Sequence, residues 1–187
     1  MFKNCCSYIL TLMLSFSVIA SEDSISQFTY GYLKRVNDFL SEGDYENAEK
    51  ELSIISKRYF VNEQSYERSL INQLWGNLYA TTGDYQKAVD AYEASLRFRK
   101  IPLITNLQVR TNLAQCYFQI KDFNKVIEIL LTYKNIAEPR GQEFSPQNMI
   151  LLGIAYYYIE NFDEAYFYIS AANDNSIKYK EDWLKYE

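Results

Sequence analysis

An acidic or amide residue followed by an aromatic recurs along this chain at a nearly fixed step, and the step constrains the fold more than any other feature. The motif reads Gly43-Asp44-Tyr45-x-x-Ala48, Gly83-Asp84-Tyr85-x-x-Ala88, Lys121-Asp122-Phe123-x-x-Val126 and Glu160-Asn161-Phe162-x-x-Ala165, and its aromatic residues lie 40, 38 and 39 positions apart. A period of this length belongs to stacked helix pairs, each too small to bury its own apolar face. The expected fold is therefore all-α: a right-handed solenoid of about four antiparallel helix pairs. Arrays of this kind present a long surface that suits gripping another chain.

Each unit has the same internal order. The second reads Trp75-Gly76-x-x-Tyr79 at the end of a first helix, Gly83-Asp84 in the turn, and Tyr85-x-x-Ala88-x-x-x-Tyr92 in the second helix. The third and fourth carry Leu113-Ala114-x-x-Tyr117 and Leu152-Gly153-x-x-Tyr156 at the first position, and the first unit carries Arg35-Val36-x-x-Phe39. Small residues should meet across each pair, Gly76 on Ala88, Ala114 on Val126 and Gly153 on Ala165, so that the two helices approach closely. Gly43 and Gly83 supply turn backbone that other residues adopt at a cost, so Lys121 and Glu160 imply a different turn in units three and four. Pro102 and Pro139 are expected to end helices, and Ser145-Pro146 to open one.

At these positions the chain resembles the tetratricopeptide repeat family, whose usual step is about 34 residues. The extra residues should lie in the links Tyr59-Phe60-Val61-Asn62, Lys100-Ile101-Pro102 and Ala137-Glu138-Pro139-Arg140-Gly141. Asn173-Asp174-Asn175-Ser176 reads as a break. The organisation expected is a repeat domain over 21–178 and an incomplete C-terminal helix over 179–187. Trp183 and Leu184 on that helix should fold back on Tyr166 and Ile169 or be covered by another chain.

Residues 1–20 differ from the rest. Lys3 precedes an uncharged, mostly apolar run from Tyr8 to Ala20, and Val18-Ile19-Ala20 is followed at once by Ser21-Glu22-Asp23-Ser24. This is the pattern of a secretory signal peptide cleaved after Ala20, with an uncleaved anchor as the alternative. A run of 13 residues is short for a spanning helix, and no integral membrane span is expected after cleavage. The expected location is periplasmic or secreted. Cys116 would be the one cysteine left, so no internal disulfide can form; a small buried hydrophobe is the expected role.

The composition narrows the chemistry. The whole chain has 19 Lys and Arg against 24 Asp and Glu, net -5, and losing Lys3 with the leader makes it -6. That balance argues against nucleic acid and against anionic membrane surfaces. There is no His, so the commonest general base and metal ligand are missing, and the six Gly are scattered instead of forming a phosphate loop. The expectation is a non-catalytic protein without cofactor or metal.

The remaining candidate is the inner wall of the array, lined by first helices. Asn37, Asn77 and Gln115 fall one position after the small packing residue, with Gln73, Gln108, Thr111, Phe118 and Tyr157 a turn before or after. A ladder of amides can donate to and accept from the backbone of an extended peptide; the alternative is that these are ordinary exposed polar positions. Leu33 and Gln73 stand where carboxylate-clamping members of the family carry Lys, which disfavours a clamp. The runs Tyr156-Tyr157-Tyr158 and Tyr166-Phe167-Tyr168 are expected to be mostly core, with one or two residues of each facing outward.

From about Gln73 onward the chain is also similar to the tetratricopeptide proteins that accompany TonB-type energy-transduction systems of Gram-negative bacteria. The likeness lies in Gly83-Asp84-Tyr85-Gln86-Lys87-Ala88, in Leu113-Ala114-Gln115-Cys116-Tyr117-Phe118-Gln119-Ile120-Lys121-Asp122-Phe123 and in Lys180-Glu181-Asp182-Trp183. Those relatives are exported and longer, and the resemblance implies a periplasmic accessory of a transport motor; no functional residues carry over. The readings to be weighed are an adaptor that binds a protein or extended peptide in its groove, a structural protein that forms a homo-oligomer by stacking repeats, and an accessory subunit of an exported enzyme complex.

Overall fold

A computed structural model describes residues 25–58, 66–98 and 101–183, with side chains to residue 173. The leader, the Tyr59–Asn62 link and Leu184 lie outside the described residues. Among the described residues the chain is helical throughout: α1 (Gln27–Glu42), α2 (Tyr45–Arg58), α3 (Tyr66–Thr81), α4 (Tyr85–Leu96), α5 (Leu103–Gln119), α6 (Phe123–Ala137), α7 (Pro146–Tyr158) and α8 (Phe162–Trp183). The pairs α1/α2, α3/α4, α5/α6 and α7/α8 pack within themselves, and each packs on the next, with first helices also meeting as α1 on α3 and α5 on α7. The four-pair solenoid expected from the motif period is the architecture found.

The recurring motif owes its form to one turn made four times. In each, a residue one or two places after the first helix takes a left-handed conformation: Gly43 at φ 76°, Gly83 at 84°, Lys121 at 65° and Glu160 at 63°. The next backbone N–H reaches five residues back, from Asp44 to Phe39 at 2.9 Å, Asp84 to Tyr79 at 2.8 Å, Asp122 to Tyr117 at 2.9 Å and Asn161 to Tyr156 at 3.0 Å. This satisfies carbonyls that the helix end would otherwise orphan. Lys121 and Glu160 therefore do not change the turn, contrary to the expectation. They adopt the glycine conformation at a cost of about 1–2 kcal/mol each, because the backbone bonds around them fix it. The Asp or Asn then caps the second helix, accepting from the N–H three residues on: Asp44 from Asn47 at 3.2 Å, Asp84 from Lys87 at 3.4 Å, Asp122 from Lys125 at 3.1 Å and Asn161 from Glu164 at 3.4 Å.

Small residues set the spacing inside the pairs. A Cβ on Gly153 would lie 3.1 Å from the Ala165 carbonyl oxygen and 2.7 Å from Ile169 Cγ1, so α7 and α8 touch backbone to backbone as expected. A Cβ on Gly76 would fall 2.5 Å from the Tyr92 ring, so the space freed by Gly76 is filled by Tyr92, one turn beyond Ala88. Ala114 and Val126 are both fully buried.

Two expectations about the connections change and one holds. Pro102 opens α5 at its N-cap; α4 has already ended at Leu96. Pro139 follows a helix end as expected: α6 stops at Ala137, and Pro139 lies in the 3-10 turn Glu138–Arg140 behind it. The break at Asn173–Ser176 is absent, and α8 runs on for 22 residues to Trp183. Asn, Asp and Ser weaken a helix by only about 0.5–0.7 kcal/mol each and contain neither the missing donor of Pro nor the freedom of Gly. Trp183 stands about 25 Å along the same axis from Tyr166, so it cannot fold back on it. Ser145 caps α7, accepting from the Asn148 N–H at 3.2 Å with Pro146 in the first turn, as expected.

The core falls into two clusters. One joins Leu33, Val36, Leu40, Ala48, Leu52 and Ile55 of the first pair to Leu70, Ile71, Leu74 and Leu78 of α3. The other runs from Ala80 and α4 through α5, α6 and α7 to Tyr168. Buried polar groups mark the seam: Ser69 Oγ donates to the Ser95 carbonyl at 3.1 Å and lies 3.0 Å from its hydroxyl.

Candidate functional site: the inner wall and the C-terminal end face

The amide ladder does not form a continuous recognition strip. Gln73 and Asn77 are each only 3% exposed. Asn77 Oδ1 accepts from the Tyr92 hydroxyl at 2.6 Å and lies 3.5 Å from Asn112 Nδ2. The side chain is there to satisfy a buried phenol, whose ionisation burial pushes well above its ordinary value. Both residues are corrections to the groove reading: they sit inside the fold, between α3 and its neighbours. The buried Gln73 Oε1 and Asn37 Oδ1 have no hydrogen-bond partner. Thr111 Oγ1 donates to the Leu107 carbonyl and accepts from Asn148 Nδ2 at 3.2 Å, so it ties α5 to α7. Gln108 and Gln115 remain half-buried on α5.

Gln115 lines a niche with Ala80, Tyr85, Tyr92, Asn112, Cys116 and Gln119, a cavity of about 10 Å³ that holds at most one water. Cys116 is buried there, and burial pushes its thiol up to about 12, so it stays a protonated apolar group at neutral pH, as the sequence suggested. Among the described residues no group of three His, Cys, Asp or Glu side chains could hold a metal ion, and no helix is long and apolar enough to cross a membrane.

The last two predicted residues lead elsewhere. Phe118 is half-buried and meets Phe123 edge-on at 5.6 Å and 70°. Tyr158 of the next pair lies flat on Phe123, centroids 4.4 Å apart and planes 5° apart. One repeat later the same pair recurs as Tyr157 and Phe162, at 5.7 Å and 64°. Here nothing among the described residues covers it: Tyr157 is 58% and Phe162 59% exposed.

Around that pair the α7/α8 end is apolar and open. Tyr166 is 77% exposed, and Tyr158, Phe167 and Ile169 are exposed as well. Two residues of each aromatic run therefore face solvent, within the one or two expected; Tyr156 and Tyr168 stack with each other at 5.8 Å and pack on the core. Such a cluster of large apolar side chains is the mark of a contact surface. The sequence held a signal for it that the groove argument passed over. Phe167 occupies the position filled by exposed Asp90 and Glu128 in the two preceding pairs, so its aromatic side chain is not part of the internal packing pattern.

This geometry is that of a tetratricopeptide-like array of helix pairs. The model of the tetratricopeptide repeat matches residues 71–100. A crystal structure of MamA is similar to this chain with a TM-score of 0.65 at 18% sequence identity, covering 82% of this chain and 81% of that one. No curated protein matches.

Proposed function

We propose that this chain is an exported, non-catalytic adaptor that holds a protein partner, and that the partner docks on the open face of the last helix pair. The observation that carries the reading is the uncovered aromatic cluster of Tyr157, Phe162, Tyr166 and Phe167 at the end of an array whose other pairs are each covered by the next. The leader-like residues 1–20 support export, and the similarity to exported tetratricopeptide proteins supports a role beside an envelope machine such as a TonB-type system. The inner wall contributes less, because Gln73, Asn77 and Thr111 already serve internal hydrogen bonding or packing.

Two measurements test this. The mass of the protein recovered from the envelope fraction should correspond to a chain starting at Ser21; a soluble chain retaining Met1 contradicts export. Partner capture should fall at least tenfold when Phe162 and Tyr166 are replaced together by Ala, and change little when Gln108 and Gln115 are. The reverse result returns the function to the groove.

A further inference from the structure

The repeat itself states what kind of group fits the open end. Phe162, Tyr166 and Ile169 correspond to Phe123, Ile127 and Leu130 of the third pair and to Tyr85, Val89 and Tyr92 of the second. All six of those residues belong to the central core or pack against it. In the third pair the aromatic pair is closed by Tyr158, delivered by a following helix. The face at Tyr157 and Phe162 is thus shaped, by continuity with an interface already present in the molecule, for a helix that carries an aromatic knob.

Charge restricts that helix further. No Lys or Arg occurs between Gly141 and Ile177, while Glu160, Asp163 and Glu164 stand exposed beside the patch. Lys134 of α6 is engaged elsewhere, over the Tyr168 ring and 3.8 Å from Glu138. A second copy meets this face poorly. Two α7/α8 ends placed face to face would oppose the same three acids. Head to tail, α1 would have to fill the place of a following first helix. It presents Lys34 where later first helices bury Leu74 and Leu151, Asp38 where they bury Leu78, Cys116 and Ala155, and Ser41 where Tyr158 stands. Lys34 and Asp38 pair with each other at 2.7 Å in solvent, and docking there would strip both of water.

We infer that the α7/α8 end face receives a basic amphipathic helix of a different protein, one that sets an aromatic side chain on the Tyr157–Phe162 pair and Lys or Arg beside Glu160, Asp163 and Glu164. This deepens the adaptor reading and rests on it. Burial of the aromatic knob supplies affinity, and the acidic rim selects the partner and steers its approach.

The test uses the full chain and three synthetic helices of about five turns. The first has a central Tyr flanked by Lys, the second replaces Tyr by Ala, and the third replaces Lys by Glu. Fluorescence anisotropy should show the Tyr/Lys helix binding at least tenfold more tightly than either control, and more weakly as salt is raised. Phe162→Ala and Tyr166→Glu should each cost at least fivefold with unchanged helical circular dichroism. Asp163→Lys with Glu164→Lys should reverse the preference toward the Glu-flanked helix. Equal binding of all three helices, or binding untouched by Phe162→Ala, overturns the inference. So does light scattering that shows a dimer dissolved by Phe162→Ala, because a second copy is then the occupant. If Phe162→Ala abolishes capture of the cellular partner while no helix binds, the adaptor reading survives and the basic-helix inference fails.

Discussion

At the N-terminal end of the array, two aromatics of α1, Phe28 and Tyr32, lie under an arginine, while Tyr30 and Tyr45 stay exposed. Arg58 sits 4.0 Å over the Phe28 ring, Arg35 sits 4.3 Å over Tyr32, and Arg35 also pairs with Glu51 at 2.9 Å. At the C-terminal end, Phe162, Tyr166 and Phe167 have, among the described residues, no cation over their rings and no helix over them. The two ends of a solenoid face the same physical problem, since each has one side that no neighbouring repeat covers. Polar substitution solves it at α1, where Lys34 and Asp38 replace the core residues of later repeats. At α8 the core-type side chains are kept and even extended by Phe167. That contrast among the described residues is what the proposed docking on α7/α8 calls for.

The largest effect that would sharpen this contrast lies at the glycines. Gly76→Ala drives a methyl into the fully buried Tyr92 ring, whose hydroxyl is already engaged by Asn77, and should cost about 2–3 kcal/mol. Gly153→Ala meets Ile169, which is half-open to solvent and can swing aside, although the Ala165 carbonyl stays close; it should cost about 1 kcal/mol. Thermal unfolding of both variants gives the order. Equal costs would mean that the last pair is as tightly enclosed as the interior.

Next comes the aromatic pair that occurs twice, once covered and once not. Phe123→Ala loses its stacking with Tyr158 and its contact with Phe118 and should destabilise by about 2 kcal/mol. Phe162→Ala, at the equivalent position, should change stability by less than about 0.5 kcal/mol. Chemical denaturation midpoints check this. A large loss at Phe162 would show that the face is packed within the chain and not available to a partner.

The smallest effect is at the turns. Lys121→Gly and Glu160→Gly relieve a left-handed conformation at the junctions of the third and fourth pairs, and each should stabilise by about 0.5–1 kcal/mol after the entropy lost by glycine is counted. Gly83→Ala should destabilise by a similar amount. No gain at Lys121 or Glu160 would mean that the repeated backbone bonds do not impose the turn.

Much of the fold was legible because it is written in repeats. The Asp-aromatic step gave the number of pairs, and the small residues gave the close approach of α7 on α8. What could not be read was which polar residue a particular neighbour would claim. Asn77 looks like a groove residue by register, but Tyr92, alone among Leu52, Leu130 and Ile169 at its position, brings a hydroxyl into the core and needs an acceptor. The turns at Lys121 and Glu160 are not legible from residue type, because the hydrogen bonds around them hold the backbone. The open end is half legible: Tyr157 falls in the groove register, while its partner Phe162 belongs to the turn motif.

The central claim is that one end of the array is an interface and the other is finished. Photo-cross-linking in the cell, with the reactive residue placed at position 166 in one strain and at position 34 in another, compares them directly. The account predicts a discrete cross-linked protein from position 166 and none from position 34. Adducts from position 34 alone, or from neither position, would contradict it.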